Sequence, residues 1–302
     1  MDHKSSVCVF PALHLCSAVT QSRGFTLIEM IVVIVLTSII ASVVAVFIKI
    51  PVQGYVDSAR RAEMTDIVDT ALRRVGRDLR LALPNSVRIT DAGVTIEVLQ
   101  TKTGGRYRSE TDTTATADTL NFSATDTTFD QLGPLSVLPG QTILPNSDSV
   151  VIYNLGPGIP NADAYVGSNR SLITGMPAGA LANEQRIQIA AKQFPFESPG
   201  NRFQVIEGPV SYVCNITTGQ LRRYWGYPIQ AAQPTAATLA TLGGASSALL
   251  ATNVGSCIFD YNPGITARSG LVALTLVITE ANTSGIPESV RLYHEVHVTN
   301  AP

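Results

Sequence analysis

The sequence is poor in charge and has no surplus of one sign. Charged side chains make up 15% of its 302 residues, and 21 basic against 23 acidic groups give a formal net charge of −2. Holding nucleic acid by its phosphates needs a basic surface, so no nucleic-acid partner is expected. Cysteine is scarce too. The four are Cys8, Cys16, Cys214 and Cys257, and none stands at the spacing of a zinc-ligand set. There is no nucleophile elbow, no cluster of metal ligands and no carboxylate pair in a recognisable frame. The Gly/Pro stretch at 156–161 lacks the Lys and the Ser/Thr of a phosphate loop, and Asp163 after it reads as a turn residue. Glu110, Asp112, Asp118, Asp126 and Asp130 do not follow the spacing of an EF-hand loop and read as acids of a polar loop. These gaps point away from an enzyme, and no cofactor or metal is expected.

What the sequence has in quantity is one long apolar run. Ser22-Arg23-Gly24-Phe25-Thr26-Leu27-Ile28-Glu29 leads into it, and between Phe25 and Ile48 the only charge is Glu29. The run has about the ~20 residues needed to cross a bilayer. A carboxylate inside such a segment is costly and marks a functional position. Glu29 stands one helical turn after Phe25, which in a helix brings it near that residue. In a packed filament it could instead meet the amine of a neighbouring Phe25, and in a simple anchor it would snorkel to the interface. Pairing makes such a charge tolerable.

A basic residue, Gly, then Phe-Thr-Leu-Ile-Glu and an apolar continuation resembles the signal of type IV prepilins and of the related pseudopilins of type II secretion. The resemblance implies cleavage between Gly24 and Phe25 by a prepilin peptidase, N-methylation of Phe25, and docking of subunits through Glu29. It implies other minor and major pilins, the inner membrane and the pilus assembly platform as partners. The protein would be a single-pass inner-membrane protein with a periplasmic body, later part of a surface filament. Residues 54–62, 77–86, 223–227 and 292–298 are similar to a minor pilin of the mannose-sensitive haemagglutinin pilus. The function expected from this is a low-abundance pilin that helps to prime assembly. A minor pseudopilin of type II secretion and a tip adhesin or ligand-binding module are the alternatives.

The leader, residues 1–24, is long, and 19–24 would make a compact basic leader alone, so translation is expected to start at Val19. Cys8 and Cys16 leave with the leader. Cys214 and Cys257 stay on the exported side, where an oxidising compartment favours a disulfide. It would close a loop of about 44 residues and contribute roughly 4 kcal/mol in the chain-entropy model. Two separate buried thiols are the alternative.

The expected fold is α+β: a long N-terminal helix, membrane anchor plus amphipathic half, packed on an antiparallel sheet as in pilins. The chain divides into the leader (1–24), an anchor or filament-core helix (25–50), an amphipathic half (51–83) and a β-rich body (84–302). Pro51 and Gly54 predict a kink or local melting between the helical halves. Beyond them Met64, Val68, Ala71, Leu72, Val75 and Leu79 recur at steps of three and four, an apolar stripe for a sheet. Arg60, Arg61, Glu63, Asp66, Asp69, Arg73, Arg74, Arg77 and Asp78 are assigned to faces turned to water or to other subunits. Strands are predicted at 86–90 and 93–100 around a turn at 91–93, then at 149–154, 186–190, 203–206, 211–214, 220–225, 271–279 and 289–299. Residues 109–128 read as a polar loop interrupted by a strand-like 120–122. Residues 231–255 read as a short helix around 238–252 or a loose loop. Alternation along the last strand puts His294 and His297 on opposite faces, so they cannot share a metal. His294 is expected to be a hydrogen-bonded core histidine.

Overall fold

The computed structural model describes residues 24–110, 117–137, 141–264 and 269–302. The leader up to Arg23, with Cys8, Cys16 and the expected start at Val19, lies outside the described residues, as does Asp112. The chain separates into two compact units, Met1–Tyr55 and Val56–Pro302.

The first unit holds the start of helix α1 (Leu27–Arg80). Thr26 precedes it, and its carbonyl and Oγ1 accept from the Glu29 N–H at 3.1 and 3.3 Å. A hydroxyl at this position satisfies a backbone donor that the first turn leaves free. The apolar side chains from Leu27 to Ile50 are exposed. The hydroxyls of Thr37, Ser38 and Ser42 bond back to carbonyls of the preceding turn at 2.7 Å, which hides polar groups on a surface that is otherwise hydrocarbon. The helix runs unbroken through Pro51 and Gly54, so the local melting expected there does not occur. A proline removes one backbone donor and crowds one carbonyl, a local loss that the turns on either side absorb.

In the second unit the helix becomes amphipathic. Met64, Val68, Ala71, Leu72, Val75 and Leu79 are all buried, as their spacing predicts. They join strand residues such as Ile96, Tyr212, Leu274 and Val296 in the main core. After Arg80 the chain turns onto a strand edge: the Leu83 N–H donates to Leu99 O at 2.8 Å and the Thr101 N–H to Leu81 O at 2.8 Å.

Twelve strands follow among the described residues: β1 (Arg88–Thr90), β2 (Thr95–Arg106), β3 (Asp126–Gln131), β4 (Ser149–Val151), β5 (Arg170–Gly175), β6 (Gln185–Lys192), β7 (Arg202–Asn215), β8 (Gln220–Trp225), β9 (Ser246–Ala251), β10 (Val254–Asn262), β11 (Gly270–Ala281) and β12 (Pro287–Val298). Nine form one sheet in the order β1-β2-β7-β4-β5-β6-β3, with β8 added beside β7 and β9 beside β8; β10-β11-β12 form a second sheet. Every pairing is antiparallel. A one-turn helix, α2 (Ala236–Leu239), stands before β9.

The turn predicted at 91–93 is a short 3-10 segment in which Asp91 and Ala92 hold a φ of 54°. The predicted strands at 203–206 and 211–214 are two parts of β7. Four strands were not anticipated. β3 lies partly inside the presumed polar loop, where Phe129 packs into a second core with Ile173, Ile187 and Phe203. β5, with a Gly at its end, and β10, which starts beside Asn253 and Gly255, carry weak local patterns. Within 231–255, expected as a short helix around 238–252 or a loose loop, the chain forms the one-turn α2, then turns, then β9. Its Ser-Ser-Ala-Leu-Leu-Ala sequence has no β-branched residue, and pairing with β8 is what makes it a strand.

Candidate functional site

Two regions carry the residues singled out by sequence: the N-terminal helix and the joints that hold its second half to the sheets. Phe25 and Glu29 are exposed, and Glu29 stands in the first helical turn. A carboxylate there meets the positive end of the helix dipole, so the turn itself compensates part of the charge. Gly24 has no atom within 4 Å of where a Cβ would stand.

The second half of α1 is fixed at both of its ends by ion pairs. At the first, Arg60 Nη2 reaches Asp57 at 3.0 Å and Glu288 on β12 at 3.2 Å, and Arg61 grips the same Glu288 through Nη2 and Nε at 2.9 and 3.0 Å. Asp57 also accepts from the Thr283 N–H and hydroxyl at 3.2 Å. The Arg61 hydrogen bond holds the Glu288 carboxyl down at about 2. At the second, Asp78 accepts from the Tyr212 hydroxyl and from Arg223 Nε, each at 2.6 Å. Burial, and then Asp78 itself, pushes the Tyr212 phenol up. The sequence places Asp78 among charges turned to water or to other subunits, yet it is 4% exposed. Its period places it next to the buried stripe, and the sheet supplies a cation and a hydroxyl that make burial tolerable. Arg60 is likewise drawn from water.

Cys214 on β7 and Cys257 on β10 are buried free thiols in the same core. A hydrogen bond with Cys214, together with burial, pushes the Cys257 thiol up. The two therefore lie against each other across the two sheets, although 42 residues separate them in the chain. His294 is half-buried, and its ring packs over Gly76, where a Cβ would stand 3.1 Å from Nε2. It makes no hydrogen bond among the described residues, contrary to expectation; the ring is only half-buried, so it is not driven to find a partner within the protein. His297 is exposed on the other face.

Several other acids have partners within the fold. Asp163 accepts from the N–H groups of Gly158 and Tyr165 at 2.8 and 2.9 Å, the turn role its context suggests. Asp130 is buried and receives Arg186 at 2.8 and 2.9 Å. Glu97, which sequence did not single out, is fully buried between Arg88 and the Tyr227 hydroxyl at 2.8 Å. Burial raises its carboxyl above its ordinary value against the pull of Arg88. No group of three or more His, Cys, Asp or Glu that could hold a metal occurs among the described residues.

An apolar N-terminal helix whose amphipathic continuation is seated on antiparallel sheets defines a pilin-like α+β protein. Residues 20–45 match the family model described as Prokaryotic N-terminal methylation motif. That segment supports a type IV pilin- or pseudopilin-like protein, processed by prepilin peptidase and assembling with other pilins, and with the apolar helix it fits an inner-membrane anchor. No curated protein and no solved structure matches the chain.

Proposed function

We propose that the protein is a minor pilin of a type IV pilus, used at low abundance to prime filament assembly. The observation that carries this reading is the methylation motif at residues 20–45 running into a helix that is exposed and apolar from Leu27 to Ile50. Prepilin peptidase cuts between Gly24 and Phe25, and Phe25 is N-methylated. The anchor enters the inner membrane, with the body in the periplasm. On assembly the anchor bundles with other pilin helices, and Glu29 docks against the Phe25 amine of a neighbour. A lone carboxylate in an apolar layer is tolerated when it is paired in this way. In the oxidising compartment Cys214 and Cys257, already in contact, close a disulfide between the two sheets.

The four stretches at 54–62, 77–86, 223–227 and 292–298 support a finer assignment, a counterpart of MshO in biogenesis of the mannose-sensitive haemagglutinin pilus. A body of this size supports a place at or near the filament tip, where fewer neighbours crowd it. The test is the amount of major pilin sheared from cells lacking the gene. A collapse restored by complementation is expected. Normal piliation with impaired protein secretion would instead assign the chain to a type II secretion system as a pseudopilin.

A further inference from the structure

Strand β7 keeps β2 along one edge for most of its length but changes partner on the other. β4 covers Gln204–Ile206, β8 covers Val210–Asn215, and Glu207-Gly208-Pro209 between them face no strand on that side. Two features of the sequence open this gap. Gly208 holds a φ of 151°, a conformation that side chains rarely adopt, and Pro209 has no N–H for a ladder. A cavity of about 710 Å³ sits in the opening, with Ser149 of β4, Arg170 and Leu172 of β5, Gln100 of β2 and Trp225 of β8 on its walls. The size is that of a small-ligand cleft.

The chemistry of the walls is unbalanced. The Arg170 side chain makes no ion pair and no hydrogen bond among the described residues; it is half-buried, and its Nε is enclosed without a partner. Burial alone lowers its pKa. The nearby Lys192 is lowered by burial and by Arg170, and it spends its ammonium on the Gly167 carbonyl at 2.8 Å. An arginine drawn partly from water without a counter-ion loses hydration that nothing in the fold replaces. Across the cleft the Gln100 side-chain carbonyl is also buried and unpartnered, while its amide donates to Leu81 O. Arg223 reaches the cleft but is held by Asp78 and lies 4.9 Å from the Trp225 ring. Glu207 adds a free carboxylate acceptor at the rim.

We propose that this cleft binds an acidic saccharide, with the ligand carboxylate on Arg170 and ligand hydroxyls on Gln100 and Ser149. A planar guanidinium suits a carboxylate. The orphaned Gln100 carbonyl needs a donor, which a bare anion lacks and a sugar hydroxyl has, and an aromatic wall suits the apolar face of a pyranose. The inference concerns the body alone and holds whether a pilus or a secretion system carries it.

Trp225 is the only tryptophan in the chain and lines the cleft, so its emission reports the site. The full-length protein in detergent micelles is titrated with digalacturonate, with its neutral counterpart galactobiose, and with acetate. A saturable change with digalacturonate, with a Kd below about 1 mM, is expected, and galactobiose should be weaker by at least tenfold, on the order of one lost charge-assisted hydrogen bond. Arg170→Gln should weaken digalacturonate by a similar factor. Leu172→Tyr, which adds bulk from an exposed side chain, should do the same even if the arginine variant fails to fold. Equal response to acetate at equal concentration would mean a bare anion site and overturn the saccharide assignment. Equal affinity for the neutral sugar, or no response to digalacturonate at about 10 mM, would overturn the proposal entirely.

Discussion

Removing the carboxylate of Asp78 should unfasten the end of the long helix from the sheet. Its partners, Tyr212 and Arg223, are both within 2.6 Å, and the side chains of Arg223 and Asp78 are only 13% and 6% exposed. In Asp78→Ala the guanidinium loses its counter-charge and the phenol its acceptor, with little water to replace either. Breaking one partner of a buried pair costs about 3–5 kcal/mol. For a body of this size about 1 kcal/mol moves Tm by roughly 2–4 °C, so a fall of roughly 6–20 °C is expected. Asp69→Ala is the control. Asp69 pairs with Arg73, four residues along the same helix, at 2.7 Å, but both side chains are exposed, and the loss should be about 0.3–0.5 kcal/mol. Tyr212→Phe alone should cost about 1–2 kcal/mol, and Asp78→Ala should cost less in that background, because the two share a bond. Thermal melts of the full chain in detergent, followed by circular dichroism, read the four variants against the parent protein. Equal small shifts for Asp78→Ala and Asp69→Ala would refute the reasoning, since burial would then make no difference to the pair.

Four further outcomes are expected. Glu288 has its pKa lowered to about 2 by its hydrogen bond with Arg61, so its contribution is present above the ordinary carboxylate range and is lost as pH falls toward 2. Glu288→Gln should remove that part of the acid dependence of Tm, and an unchanged curve between pH 5 and about 2 would count against the joint. Protein recovered from the periplasm should resist alkylation at Cys214 and Cys257 until reduced, and Cys214→Ser with Cys257→Ser should cost roughly 4 kcal/mol; two thiols freely alkylated after unfolding without reductant would exclude the disulfide. Glu29→Val should leave processing intact, by immunoblot of the mature form, yet prevent incorporation into sheared filaments. Normal incorporation would sink the pairing at Glu29. Gly24→Leu should block cleavage because the peptidase site takes a small residue, and an unchanged mature mass would place the cut elsewhere.

The helix was legible in the sequence because its signals are strong and local. The apolar run has one charge, and the six stripe residues, mostly at steps of three and four, are all buried. The same holds for β11 and β12, whose alternation separates Val296 and Val298 from Glu295 and His297. What was hidden depends on partners distant in the chain. Asp78 reads as one more helix-surface acid until Tyr212 and Arg223, more than 130 residues away, arrive beside it. β9 is a strand because β8 offers it an edge, and β3 because Phe129 finds the second core. No local pattern announces Arg170: one arginine at a strand start becomes notable only when β2, β4, β7 and β8 close around it and, among the described residues, none pairs an acid with it.

Strand β7 explains why these features occur together. Phe203 and Val205 point into the second core, whereas Val210, Tyr212 and Cys214 point into the core beneath the helix. The residues of each set are two apart, as strand geometry requires, but odd positions serve one core and even positions the other. The switch falls at Glu207-Gly208-Pro209, where the register with β2 also slips. Beyond the switch, Tyr212 can meet Asp78 on the helix and Cys214 can meet Cys257 on the second sheet. Before it, the same strand holds β4 and, through it, β5 with Arg170. A regular strand through this stretch would let β4 and β8 compete for one continuous edge. The Gly-Pro break gives each its own segment, and the uncovered length between them is the floor of the cleft. The irregularity that lets one strand serve two cores is therefore also what leaves room for a ligand.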